Sequence, residues 1–134
     1  MLLTRDAILL APDRVTEDVH VPEWGGTVRV RGLSGAERDR FEASVTGTKA
    51  ARKGESRDLR LDNLRARFLA LSIVDDTGEL MFGDRDIKAL GEKAAAPIQR
   101  IYDVARRLSG LTEDDVEELA GNSDAEASGN STSA

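Results

Sequence analysis

The chain has 134 residues, of which 33 % are charged and 40 % apolar, the mix of one globular domain with a short tail. It has no Cys, which excludes disulfides and thiolate metal sites, and no apolar run near the ~18–20 residues that span a bilayer. The net charge is −6, but seven of the 25 acids fall in residues 112–134, where there is no base; the other 18 acids face 19 bases, so the near-neutral body gives no general electrostatic case for nucleic acid.

Residues 1–17 show no clear period. Ile8-Leu9-Leu10 is a short apolar run closed by Pro12, and Arg5 and Asp6 break the order a signal peptide needs. This segment is expected to be a mobile arm, or one that docks elsewhere. Residues 18–32 carry the clearest β pattern. Val19 and Val21 flank His20, and Val28 and Val30 alternate with Arg29 and Arg31. Gly25-Gly26 supplies a turn, which predicts a two-stranded hairpin whose Val face covers a core.

Ser34 with Glu37 three residues on forms a capping box, and predicts a helix to about Val45 with Phe41 and Val45 on one face. Residues 46–57 hold no large apolar side chain and read as a loop. A long helix is expected from about Asp58, with Leu61, Leu64, Phe68 and Leu71 on one seam. Ile73-Val74 is β-like. The D-T-G turn after it and Leu80-Met81-Phe82 suit either a small hairpin or a helix end with a loop. Asp84 is a candidate N-cap for a short helix carrying Ile87 and Leu90, with Gly91 as its stop. Ile98, Ile101, Tyr102, Ala105 and Leu108 then mark an amphipathic helix that starts near Pro97 and stops at Gly110. Thr112 with Asp115 is a second capping box, flanked by Leu111 and Val116 at staple positions; that helix is expected to end near Ala120. Residues 121–134 contain nothing apolar larger than Ala and are expected to be disordered. The fold class is α+β, mainly α: four or five helices, an N-terminal β-hairpin and a disordered C-terminal tail. The division is 1–14 arm, 15–120 domain, 121–134 tail.

Catalytic chemistry finds little material. His20 is the one His, and it sits on the solvent side of a strand without the partners a triad needs. Asp75/Asp76 reads as a turn, and Asp84/Asp86 and Asp114/Asp115 as helix caps. No phosphate-loop motif is present. No catalytic, cofactor or metal residue is assigned. Lys49 to Arg67 holds seven bases against three acids, but Phe68 is the one aromatic near it and lies on the apolar seam, so a solvated face is the expectation. Trp24 at the hairpin tip either folds back on a helix or meets a partner.

The stretch Val19-His20-Val21-Pro22-Glu23-Trp24-Gly25-Gly26-Thr27-Val28-Arg29-Val30-Arg31-Gly32-Leu33-Ser34-Gly35-Ala36-Glu37-Arg38-Asp39-Arg40-Phe41-Glu42 resembles the N-terminal signature of the tail assembly chaperones of long-tailed bacteriophages. Leu69 to Gly78, Phe82 to Ile87, Leu90 to Lys93 and Ile101 to Leu111 are similar to the family's later segments. The resemblance covers about residues 15–120. It implies a non-enzymatic assembly factor of the infected host's cytoplasm that binds the tape measure protein and keeps it soluble. It also implies help to the tail tube protein in polymerising around that client, absence from the mature virion, and in many phages a frameshifted longer form of the chain. No membrane partner is expected. The candidate partner-binding residues are Pro22, Trp24, Leu61, Leu64, Phe68 and Leu71, with the Ile8-Leu9-Leu10 run as a further apolar feature. The alternatives are a head–tail connector component and a small nucleic-acid-binding regulator.

Overall fold

A computed structural model describes residues 1–46, 62–112 and 114–116. The predicted loop at 46–57, the helix start at Asp58, Leu61, the end of the last helix and the tail from 121 therefore lie outside the described residues, apart from Thr46.

The chain opens with a short helix, α1 (Arg5–Leu10), in the segment whose sequence shows no clear period. The Thr4 hydroxyl explains it: it accepts from Ala7 N at 3.1 Å and satisfies one of the free donors of the first turn. No residue of α1 is buried. Strands β1 (Thr16–Val21) and β2 (Gly26–Arg31) form the predicted antiparallel hairpin, with Val19 opposite Val28 and Val21 opposite Gly26. The turn differs from the Gly-Gly reading. Pro22–Trp24 forms a single 3₁₀ turn, Gly25 alone takes positive φ at 75°, and Gly26 is already the first residue of β2. Proline at the start of that turn costs nothing, because its missing N–H has no partner there.

A third strand, β3 (Ile73–Val74), pairs antiparallel with β2 through Arg29–Val74 and Val30–Ile73, so the sheet order is β1-β2-β3. Val74 also bridges to Leu80. The Asp75 carboxylate closes the turn between them. It accepts from Thr77 N at 2.9 Å, Thr77 Oγ1 at 2.6 Å and Glu79 N at 3.0 Å. The Thr77 hydroxyl contributes most to holding that carboxyl below its usual range, and the backbone donors of Glu79 and Thr77 add to it.

Helix α2 (Gly35–Thr46) begins at the predicted capping box: Ser34 N donates to Glu37 Oε1 at 2.9 Å, and Glu37 N to Ser34 Oγ at 3.1 Å. Helix α3 is shorter than the long helix expected. Among the described residues it runs only from Leu64 to Ala70, because Asn63 before it sits in the left-handed region at φ 54°. Asp84 is not the cap of the next helix. A 3₁₀ turn, Asp84–Asp86, leads into α4 (Ile87–Gly91), and the Asp86 carboxylate takes the Gly83 N–H at 2.9 Å. Gly91 is the last helical residue rather than a left-handed stop, and its hydrogen faces the Asn63 side chain, where a Cβ would lie 2.2 Å from Oδ1.

Helix α5 (Ala95–Leu108) follows the predicted pattern, with Pro97, Ile98, Ile101, Tyr102 and Ala105 buried. Gly110, at φ 75°, ends it: its N–H reaches Arg107 O and that of Leu111 reaches Arg106 O, both at 3.0 Å, the paired bonds of a Schellman stop. The second capping box also forms, Thr112 N to Asp115 Oδ2 at 2.8 Å and Asp115 N to Thr112 Oγ1 at 3.0 Å, with Leu111 and Val116 both buried.

The core lies between the sheet and the helices. Phe68 of α3 is its centre, edge-on to Phe41 of α2 at 5.0 Å and to Tyr102 of α5 at 5.3 Å. Val21, Val30, Val45, Leu69, Ile73 and Ile101 close around these rings.

Candidate partner-binding surface

The hairpin tip projects Pro22 and Glu23 into solvent and leaves Trp24 half-buried, its ring packed against the edge of the core. The indole therefore folds back on the body and keeps part of its surface exposed. Glu23 ties this tip to α5. Its carboxylate takes two bonds from Arg100, at 2.8 and 2.7 Å. The Arg100 guanidinium, with help from the backbone, lowers the Glu23 pKa to about 2 from 4.5. A carboxyl whose pKa falls on folding contributes stability in full above its unfolded value and loses it as pH drops towards the folded one. The gap in melting temperature between wild type and Arg100→Met should thus be widest above pH 4.5 and close as pH approaches 2; a gap independent of pH would show that the ion pair does not hold the tip.

Trp24 forms one wall of a cleft of about 570 Å³. Val28, Ile73, Val74, Met81 and Phe82 line it with Trp24, and Asp18, Arg29, Asp75 and Asp76 are its charged residues. Met81 is 52 % exposed, a large apolar side chain left in water. Phe82 also lines a second hollow, of about 800 Å³, together with Leu71, Leu80 and Ile87. Phe82 is thus in the lining of both hollows, and the second is also lined by the charged residues Arg40, Asp62, Arg67, Asp84 and Lys88.

The candidate residues from the α3 seam separate in space. Phe68 is fully buried, so it is a core residue and not part of a partner-facing margin. The reason is that α2 and α5 cover the seam from both sides. Leu71 remains half-exposed on the Phe82 side. Leu64 lies in a different hollow, beside Ala95, Ala96 and Ile98. Leu61 is outside the described residues. Met81, Phe82 and Leu80 were missed by sequence reasoning; their signal was a run of three large apolar residues directly after a turn, which was assigned to pairing or a helix end.

The described part of the basic stretch is engaged in the fold. Arg65 stacks on the Tyr102 ring at 5.5 Å and donates to Gln99 at 2.6 Å, while buried Arg67 donates to Ser44 Oγ at 3.2 Å and to Asp62 O. His20 is exposed, opposite Thr27 in the hairpin. Among the described residues there is no group of three or more carboxylates, His or Cys placed to hold a metal, and no helix long and apolar enough to cross a membrane.

This fold is similar to a solved one, the tail assembly chaperone of bacteriophage HK97. The TM-score is 0.53 at 20 % identity, over 77 % of this chain and 94 % of that one. No curated protein matches. The family model for the phage tail assembly chaperone matches residues 4–126, which takes in both the hairpin signature and most of the N-terminal arm. The chain therefore belongs to the phage tail assembly chaperone family.

Proposed function

We propose that this chain binds the tape measure protein of its phage in the host cytoplasm, keeps it soluble and assists the tail tube protein in polymerising around it, without catalysis of its own. The observation that supports this reading most directly is the cleft in which half-buried Trp24 and Phe82 lie together with exposed Met81. A long helical client presents apolar side chains at i, i+3 and i+4, and a groove of half-buried apolar residues is the surface that accepts them. The family assigns a non-enzymatic role in tail assembly, and phage tail components are the class of partner it implies.

Interface energy concentrates in aromatic anchors, at ~2 kcal/mol or more each. Trp24→Ala is therefore expected to weaken capture of the co-expressed tape measure protein by roughly thirtyfold, the factor that ~2 kcal/mol represents. The helical circular-dichroism signal should be retained. Because the indole is half-buried, the melting temperature should fall by only a few degrees. Capture at wild-type strength would remove Trp24 from the interface. Failure of the wild-type chain to bind or solubilise the tape measure protein would end the reading itself.

A further inference from the structure

The cleft beside the hairpin tip has an apolar lining but is not neutral. Among its lining residues Asp18, Asp75 and Asp76 are acidic and Arg29 is the one base. That base is already engaged: Nε of Arg29 donates to Asp18 Oδ1 at 2.8 Å and Nη2 to Asp18 Oδ2 at 3.2 Å. The two-pronged pair cancels one charge of each sign. Asp75 spends Oδ1 on its own turn, where Thr77 and Glu79 donate to it, and those donors favour its ionised form. Asp76 is exposed, and among the described residues no group donates to its carboxylate. The cleft is therefore left with two negative charges in excess. This is a local property. The second hollow, which shares Phe82, has the opposite balance, with Arg40, Arg67 and Lys88 against Asp62 and Asp84.

Charge of one sign beside an apolar wall restricts what can cover it. A purely apolar segment would take water from the carboxylates and give nothing back, and an acidic one would be repelled. A lysine or arginine suits both parts of the surface, because its methylene stem lies on apolar side chains while its charged head reaches past them. We propose that the segment taken by this cleft is an amphipathic helix whose apolar side chains lie against Trp24, Met81 and Phe82 and whose flanking lysine or arginine side chains pair with Asp75 and Asp76. This inference rests on the reading of the cleft as the client site, and adds which part of a long client it selects. Apolar contact alone would accept every apolar stretch of such a client. The two acids confine binding to stretches with basic flanks and reject those with acidic ones.

Trp24 is the one Trp of the chain and lines the cleft, so its emission reports on occupancy directly. The probes are two synthetic Trp-free helical peptides of about 15 residues, with Leu at i, i+3, i+4 and i+7 in both and with flanking Lys in one and flanking Glu in the other. Titrated into the full-length chain at low ionic strength, the Lys peptide should shift the emission to the blue and bind about tenfold more tightly than the Glu peptide, the scale of exposed charge pairs changing sign. The preference should fade towards 1 M salt, where the screening length is about 3 Å. Asp76→Lys should erase it and Asp76→Asn should reduce it; both should fold, since Asp75 and not Asp76 closes the turn. Glu92→Lys makes the same charge change at an exposed position outside the cleft lining, and should keep the preference. Equal binding of the two peptides, a preference that neither Asp76 variant moves, or an emission that neither peptide shifts overturns the proposal. Capture of the co-expressed tape measure protein separates it from the reading it rests on. Asp76→Lys should weaken capture about tenfold. Equal capture by wild type and Asp76→Lys would leave client binding in place and remove the charge rule, whereas absent capture beside a clear Lys-peptide preference would keep the charge rule and end the client reading.

Discussion

Phe68→Ala is expected to leave little folded protein at 37 °C. The ring is fully buried and edge-on to both Phe41 and Tyr102, so its removal empties the point where α2, α3 and α5 meet. Deleting a buried Phe side chain typically costs about 3–5 kcal/mol, through lost transfer energy and the cavity left behind. A domain of this size has only ~5–15 kcal/mol to lose. Urea unfolding should show a midpoint far below wild type, and Phe68→Leu, which refills most of the volume, should recover much of the difference. The pair also separates stability from recognition. Since Phe68 does not reach the surface, Phe68→Leu should leave the proposed capture of the tape measure protein unchanged. A loss below ~1 kcal/mol for Phe68→Ala would mean that the three helices do not pack through this ring.

Among the glycines of the described residues, Gly32→Ala should be the most damaging substitution. Gly32 is buried at the end of β2, where the chain passes directly over the end of α5. A Cβ there would lie 2.4 Å from Leu108 O and 2.8 Å from Leu108 C. Both are backbone atoms, so no rotamer change relieves the clash; the strand or the helix must move. The contact is also where Leu33 N donates to Ser109 Oγ at 2.9 Å and Gly32 N to Val15 O at 3.0 Å, and both bonds would be pulled out of line. Overpacking of this kind costs about 1–3 kcal/mol, or a melting point lower by roughly 5–20 °C for a domain near this size. Gly35→Ala is the control, because nothing stands within 4 Å of a Cβ at that position. Thermal melts of the two variants should differ clearly. If Gly32→Ala melts with Gly35→Ala, the strand does not approach the helix this closely.

Much of the scaffold was legible before any coordinates. The two capping boxes, the stop at Gly110, the period-two valines and the α5 seam are each written within a few neighbouring residues. Their physics is local: a hydroxyl within reach of an N–H three residues on, a glycine that accepts positive φ, side chains alternating across a pleat. The Thr4 cap of α1 was equally local. It was passed over because six residues without a clear period do not read as a helix.

The candidate surface was legible only in part. Trp24 and Leu71 keep part of their surface exposed, whereas Phe68 on the same seam as Leu71 is core. Periodicity shows which side of a helix is apolar and not how many neighbours cover that side.

What the sequence determined by itself is the hairpin, the start of α2, the extent of α5 with its stop at Gly110, the α+β class, and the family signature across the hairpin and α2. The tertiary structure decided four things: β3 as the third strand beside β2, the passage of Gly32 over Leu108, the burial of Phe68 between two helices, and the place of Phe82 in the lining of two hollows. The physical reason is range. A cap or a turn is settled by bonds among residues already adjacent, whereas each of these four depends on segments that are distant in the chain and meet only once the whole core has closed.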